Sequence, residues 1–265
     1  MKISSIAAAA ALALLASTGA QAEGHYVAGV EGLQAASVPP PGMYYLGYLV
    51  NYQIDDFRAP GTSSNLPGHN RGTVTALANR FVWMTGHKLL GADYGVEAIV
   101  PVLRTSLTVN AAGISDSRTG VGDVYLGPLV LGWHGPQWDA VAAAGMWFDT
   151  ASTSAPASPG KGFKSTMLTG GLTYYFDGAK TISGAALARY EFNGRNDAGR
   201  RPGDQLTLEW SLGKSFGAVS AGLVGYSQWQ TTNDSGPGAS TSKSARHAVG
   251  AELVYPVPGA GMFLK

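Results

Sequence analysis

Five histidines and 17 acidic residues are available for chemistry in this chain, and cysteine is absent. The missing thiols exclude disulfides, Cys-ligated metals and thiol nucleophiles together. A serine nucleophile would need a histidine base within reach. His25 and His69 fall in segments without periodicity, His87 and His134 in short connections, and only His247 in an alternating run, facing outward between Arg246 and Ala248. No serine stands two places from any of them on a strand face, so hydrolytic chemistry is not expected. Asp116, Asp123 and Asp234 offer oxygen ligands, but their spacing makes no calcium loop. Gly170-Gly171 and the other glycines lack the strand-to-helix context of a phosphate cradle. The expectation is no enzyme, no metal and no cofactor.

A second group of charges is set apart by position rather than by motif. Leu206, Leu208, Trp210 and Leu212 alternate with Gln205, Thr207, Glu209 and Ser211. Only a strand separates two such sets onto opposite faces. Ala186, Ala188, Tyr190 and Phe192 alternate in the same way with Arg189, Glu191 and Asn193, and Val249, Ala251, Leu253 and Tyr255 oppose Arg246 and Glu252. From Tyr44, the even positions Tyr44, Leu46, Tyr48, Val50, Tyr52 and Ile54 read as the apolar, outward face of a further strand. The inward set is therefore Arg189, Glu191, Glu209, Arg246, Glu252 and Glu97, with Gln205, Thr207, Asn193, Ser211, Gln228 and Gln230. Arg189 is expected to pair with Glu191 or Glu209, and Arg246 with Glu252 or a neighbour, because opposite charges on adjacent strands lower the cost of burial. Elsewhere the inner wall reads apolar: Tyr125, Leu129 and Leu131 share a face with Asp123, and Ile99, Pro101 and Leu103 share one with Glu97.

The elements that must carry these residues are strands that cross a membrane. Lys2, the apolar run Ile6 to Leu15 and the small-x-small Ala20-Gln21-Ala22 form an export signal over 1–22, which puts the mature start at Glu23. No later stretch reaches the ~20 apolar residues of a spanning helix. Charged residues are 13% of the chain, about half the usual share, while tyrosine (12) and tryptophan (6) are plentiful. A barrel leaves that signature, since its two faces average out along the sequence. A soluble sandwich would alternate too, but aromatics near strand ends (Trp83, Trp138, Tyr175, Phe176, Tyr255) read as interfacial girdles. The net charge of +1 points to no nucleic acid partner.

Connections alternate in length. Phe57–His69, Ala111–Thr119, Ala151–Gly162, Gly194–Pro202 and Asn233–Ser242 are long; Thr85–Lys88, His134–Pro136, Asp177–Ala179, Phe216-Gly217 and Pro256–Gly259 are short. Long loops outside and tight turns in the periplasm are the outer-membrane pattern. Counting from Tyr44 gives ten strands by Tyr255, with Met262 to Lys265 opening an eleventh. The expected fold is thus all-β, an antiparallel up-and-down transmembrane barrel over 42–265, about 12 strands intended and the C-terminal hairpin incomplete. Before it, 23–41 closes on Pro39-Pro40-Pro41 and cannot be wall. It is either a periplasmic tail or a segment folded into the lumen.

Several stretches carry a family resemblance: Ser37-Val38-Pro39-Pro40-Pro41-Gly42, Leu89 to Gly95, Gly122-Asp123-Val124-Tyr125-Leu126-Gly127-Pro128, and Arg189 to Gly194 with Pro202-Gly203-Asp204-Gln205-Leu206. Over essentially the whole mature chain the sequence resembles the outer-membrane transporters named for the meta-pathway of phenol degradation. That resemblance implies a location in the cell outer membrane. Mixed charges with an apolar wall suit a small, uncharged, partly hydrophobic or aromatic solute, or else simply fill a narrow barrel. The expected function is passive uptake of such compounds. The alternatives are a weakly selective general porin, and a closed structural or adhesion barrel acting through external loops. The expected partners are outer-membrane lipid, small neutral or aromatic solutes, and the barrel-assembly machinery during biogenesis.

Overall fold

The computed structural model describes residues 24–55, 57, 64–240, 242–257 and 262–265. The export signal over 1–22, the start at Glu23, and parts of the Phe57–His69 and Pro256–Gly259 connections lie outside them.

The chain is a single antiparallel sheet. Its strands are β1 (Gly42–Ile54), β2 (Asn70–Leu89), β3 (Ala92–Val109), β4 (Ile114–Val121), β5 (Val124–His134), β6 (Trp138–Phe148), β7 (Ser165–Tyr175), β8 (Ile182–Asn193), β9 (Gln205–Phe216), β10 (Val219–Gln230), β11 (Ala245–Val257) and β12 (Met262–Leu264). Each pairs with its neighbour in sequence, except that β4 and β5 both pair with β3. These two share one wall position, so the tenth position is β11 and β12 begins the next. Side chains from β2 and β8 meet on one residue inside, which shows how far the sheet curls. It forms a half-barrel, and among the described residues no ladder joins β1 to β12.

The convex face is mostly apolar. Leu49 is 78% exposed and Val249 72%, and Phe81, Trp83, Leu168, Leu172, Leu212 and Leu253 are exposed with them. The concave face buries Glu97, Arg189, Glu191, Gln205, Thr207, Glu209 and Gln228. This inversion, polar inside and apolar outside, is what alternation produces when the outer solvent is hydrocarbon.

Three local expectations are corrected. In β1 the faces are exchanged: Met43, Tyr45 and Leu49 point out, while Tyr44 and Leu46 pack inward with Val82, Met84, Val130 and Val38. Both faces of this strand are apolar, so periodicity alone could not choose. Thr85–Lys88 is not a turn but an irregularity within β2; the chain reverses at Leu90-Gly91, where φ is +52° and +76°. Ala111–Thr119 is mostly strand, a hairpin of β3 and β4 across a single 3₁₀ turn. It is polar on both sides and so shows no apolar period. Among the girdle aromatics, Trp83, Trp138, Phe176 and Tyr255 are outward, but Tyr175 is buried against Asp139.

Replacing Leu49 or Leu208 by arginine should each cost about 2–4 kcal/mol in bilayer vesicles, read by urea unfolding. Tolerance of Leu49→Arg would contradict the phase of β1.

Candidate functional site

Residues 24–41 lie inside the curl. The segment adds no strand to the wall; it crosses the concave face from the loop end, where His25 meets Asp123, to the turn end, where the Tyr44 hydroxyl donates to the Pro40 carbonyl. Gly24, His25, Tyr26, Ala28, Leu33 and Ala36 are buried there. The wall makes room with glycine. A Cβ on Gly132 would stand 1.9 Å from Val38, and one on Gly213 2.6 Å from Leu33.

Three wall carboxylates grip the backbone of this segment in order. Glu191 on β8 accepts from the amides of His25 (2.8 Å) and Tyr26 (3.2 Å). Glu209 on β9 accepts from Gly29 (3.0 Å) and Glu31 (3.1 Å), and Glu252 on β11 from Leu33 (3.2 Å). An irregular backbone away from water needs an acceptor for each amide, and a buried carboxylate needs donors. Each supplies what the other lacks.

Side chains complete the dock. Glu31 receives Arg80 at 2.9 Å and Arg189 at 2.5 Å, and Arg80 also holds Glu97 at 2.7 Å. Burial alone would raise the Glu31 carboxyl; Arg80 and Arg189 outweigh it and hold it at about 2. Its stabilisation is therefore present above its ordinary value and lost only as pH falls through about 2. At the loop end, His25 stacks on Trp147 and places its two ring nitrogens 2.8 Å from Glu191 and 3.3 Å from Asp123. Burial disfavours the charged ring, but hydrogen bonds to Asp123 and Glu191 prevail and raise its pKa. This contribution is complete at low pH and lost as pH rises through the raised value.

The structure thus redistributes the pairs expected from sequence. Arg189 makes its ion pair with Glu31 and reaches Glu209 through the Tyr26 hydroxyl. On β9 it faces Thr207, while Glu209 stands opposite Leu187. Arg246 and Glu252 are six residues apart on one strand, about 20 Å, too far to pair; Arg246 faces Tyr226 and Tyr52, and Glu252 lies 3.8 Å from Lys265. Tyr125 is fully buried, and Ile99 packs beside it. Leu103 lies in phase with Ile99, near Gly122. Leu129 is half-buried and Leu131 buried; the ladder slips between Leu126 and Leu129, and it is Val130 that packs with Val82, Met84 and Val38. Sequence reasoning missed Glu31, Arg80, His25 and Tyr26, and it placed Asp123 on the inner face without its partner His25. A surplus of inward carboxylates over arginines was the signal that further donors had to come from somewhere.

The oxygens considered for a cation are used by protein donors. Asp123 accepts from the amides of Thr150, Ala151 and Lys161, Asp116 from Ala157, and Asp234 from Gly203 and Gln230. On the outer face, strand pairing does bring Ser227 within 2.9 Å of the His247 ring, a contact invisible to spacing along one strand. Among the described residues no carboxylate or amide side chain bonds that ring to orient it as a base.

The convex face also carries a groove of about 940 Å³, lined by residues that include Met43, Tyr45, Phe81, Trp83, Leu126 and Met146. It lies over Glu97, Gly127 and Pro128, where the ladders from β5 to β3 and to β6 are both interrupted. Pro128 has no N–H to give to either ladder.

A family model described as putative MetA-pathway of phenol degradation matches residues 54–264. The chain belongs to that family. Its fold is that of the COG4313 outer membrane channel from Pseudomonas putida F1, seen in a crystal structure with a TM-score of 0.69 at 13% identity, over 84% of this chain and 86% of the other. No curated protein matches the sequence. The family match begins at residue 54, so the docked segment lies outside it.

For this phenol-degradation family member, Glu31→Gln leaves Arg80 and Arg189 short of an anion. Breaking a buried pair costs about 3–5 kcal/mol, here charged against docking of the segment. Chymotrypsin should then cut at Tyr26 or Leu33 in the variant and spare the parent chain.

Proposed function

We propose that this chain forms a passive channel in the cell outer membrane for small hydrophobic or aromatic compounds, working without cofactor or energy input after export behind a cleaved signal. The observation that carries the reading is the apolar groove on the convex face, seated over the break in the β3–β5–β6 ladders. A hydrophobic solute dissolved in the surrounding lipid would collect in such a groove, and a sugar or ion would not. The fold it shares with an outer membrane channel and its membership of a phenol-degradation family favour the same reading. Chemistry on the solute has no place in it, since the interior carboxylates are spent on holding the segment.

The interior speaks against a general porin. Both signs of charge are present and mutually paired, so no field of one sign selects ions. Residues 24–41 stand across the lumen, which makes their withdrawal the step that opens a water-filled path. Arg189 and Glu31 are then the gate contact, and Glu97, Glu191, Glu209 and Glu252 line the space left behind.

In liposomes, flux of phenol-sized aromatics should exceed that of sugars of equal size, and Arg189→Ala should raise the permeability to bulky solutes with the wall still folded. Equal flux for both classes would favour the general porin, and no flux of either would favour a closed barrel acting through its loops.

A further inference from the structure

One enclosed site in the molecule is filled by the chain itself, and its occupant is a phenol. The Tyr26 side chain is p-cresol on a tether. Its hydroxyl accepts a hydrogen bond from Arg189 Nη1 at 2.8 Å and donates one to Glu209. The Arg189 guanidinium also lies over the ring, with its carbon 4.3 Å from the centroid. Tyr125, Trp147 and Met167 close the apolar side. A donor, an acceptor, a cation over the π-face and an aromatic wall together make a complete set for recognising a neutral phenol. Burial holds the Tyr26 hydroxyl well above its usual range, so it occupies the site as the neutral form.

None of the wall groups in this set is needed to hold the strands together by its ladder bonds. Arg189 and Glu209 offer side chains only, and the segment that carries Tyr26 pairs with no strand. We propose that the Tyr26 pocket is a phenol-binding subsite of the channel, and that Tyr26 is its built-in competitor: a free phenol takes the place of the tyrosine ring and thereby releases residues 24–41 from the wall. This rests on the reading of the chain as a channel for aromatic solutes and gives that channel a ligand class and an opening signal. A ring without a hydroxyl would leave unmade the hydrogen bonds that Arg189 gives and Glu209 accepts at the Tyr26 hydroxyl, and an aliphatic alcohol would lack the face that Arg189 covers. Each loss should weaken binding roughly 10- to 100-fold.

The test is to empty the pocket and refill it. The folded full chain carrying Tyr26→Ala should bind p-cresol saturably at one site by calorimetry, with toluene and 4-methylcyclohexanol at least about 10-fold weaker. No p-cresol binding, or equal binding of all three, would overturn the proposal. Should Tyr26→Ala fail to fold, judged by heat-modifiable migration on gels, the otherwise unaltered chain decides. It has no native cysteine, so Ala28→Cys, buried beside Tyr26, reports on release. Its labelling by a maleimide should be accelerated by p-cresol and not by toluene; labelling indifferent to p-cresol overturns the proposal. Aromatic flux without p-cresol binding removes this site and leaves the channel reading intact. Binding without flux does the reverse.

Discussion

Carboxylates on the concave face of the sheet need hydrogen-bond donors, and most of the remaining architecture follows from where those donors come from. Glu191, Glu209 and Glu252 stand on three strands of a wall that curls away from bulk water. The amides of His25, Tyr26, Gly29, Glu31 and Leu33 meet them in sequence. Neither partner is satisfied alone. A strand would have turned its amides to a neighbouring strand, so the segment has to remain irregular to serve the wall, and Pro39-Pro40-Pro41 keeps it from joining the ladder before β1 begins.

That arrangement sets the chemistry of both faces. Inside, the arginines are committed: Arg80 and Arg189 converge on Glu31, and the glycines at 132 and 213 let the segment approach as closely as it does. Outside, few polar pairs are present (Ser227 with His247, Asn51 with Thr75), and most alternate positions are leucine, valine and aromatics. The weak point is where the two requirements meet. At Gly127-Pro128 the wall cannot keep its register with both neighbours, and the apolar groove sits over that break.

The wall was largely legible from sequence wherever one face is polar. In β8, β9 and β11 the charged residues mark the inside, and those phases stand in the structure. Where both faces are apolar the period gives no direction. Tyr44, Leu46 and Tyr48 look like lipid-facing residues, yet they turn inward because they pack on the segment rather than on water. Beside Leu129 and Leu131, Val130 joins the inner cluster after a slip that only Pro128 foreshadows. The docked segment itself has no period at all, and the carboxylates that hold its amides lie more than 160 residues away in the chain. His25 therefore read as a loop residue, although its ring is enclosed by Trp147, Asp123 and Glu191.

Residue-resolved amide hydrogen exchange on the folded chain in a bilayer mimic addresses the dock most directly. If wall carboxylates accept the segment's amides, those of His25, Tyr26, Gly29, Glu31 and Leu33 exchange slowly, on the scale of amides within the strands, and each loses protection when its own carboxylate is replaced by alanine. Exchange of these amides at the rate of an unstructured peptide, with the strands protected as usual, would contradict the account.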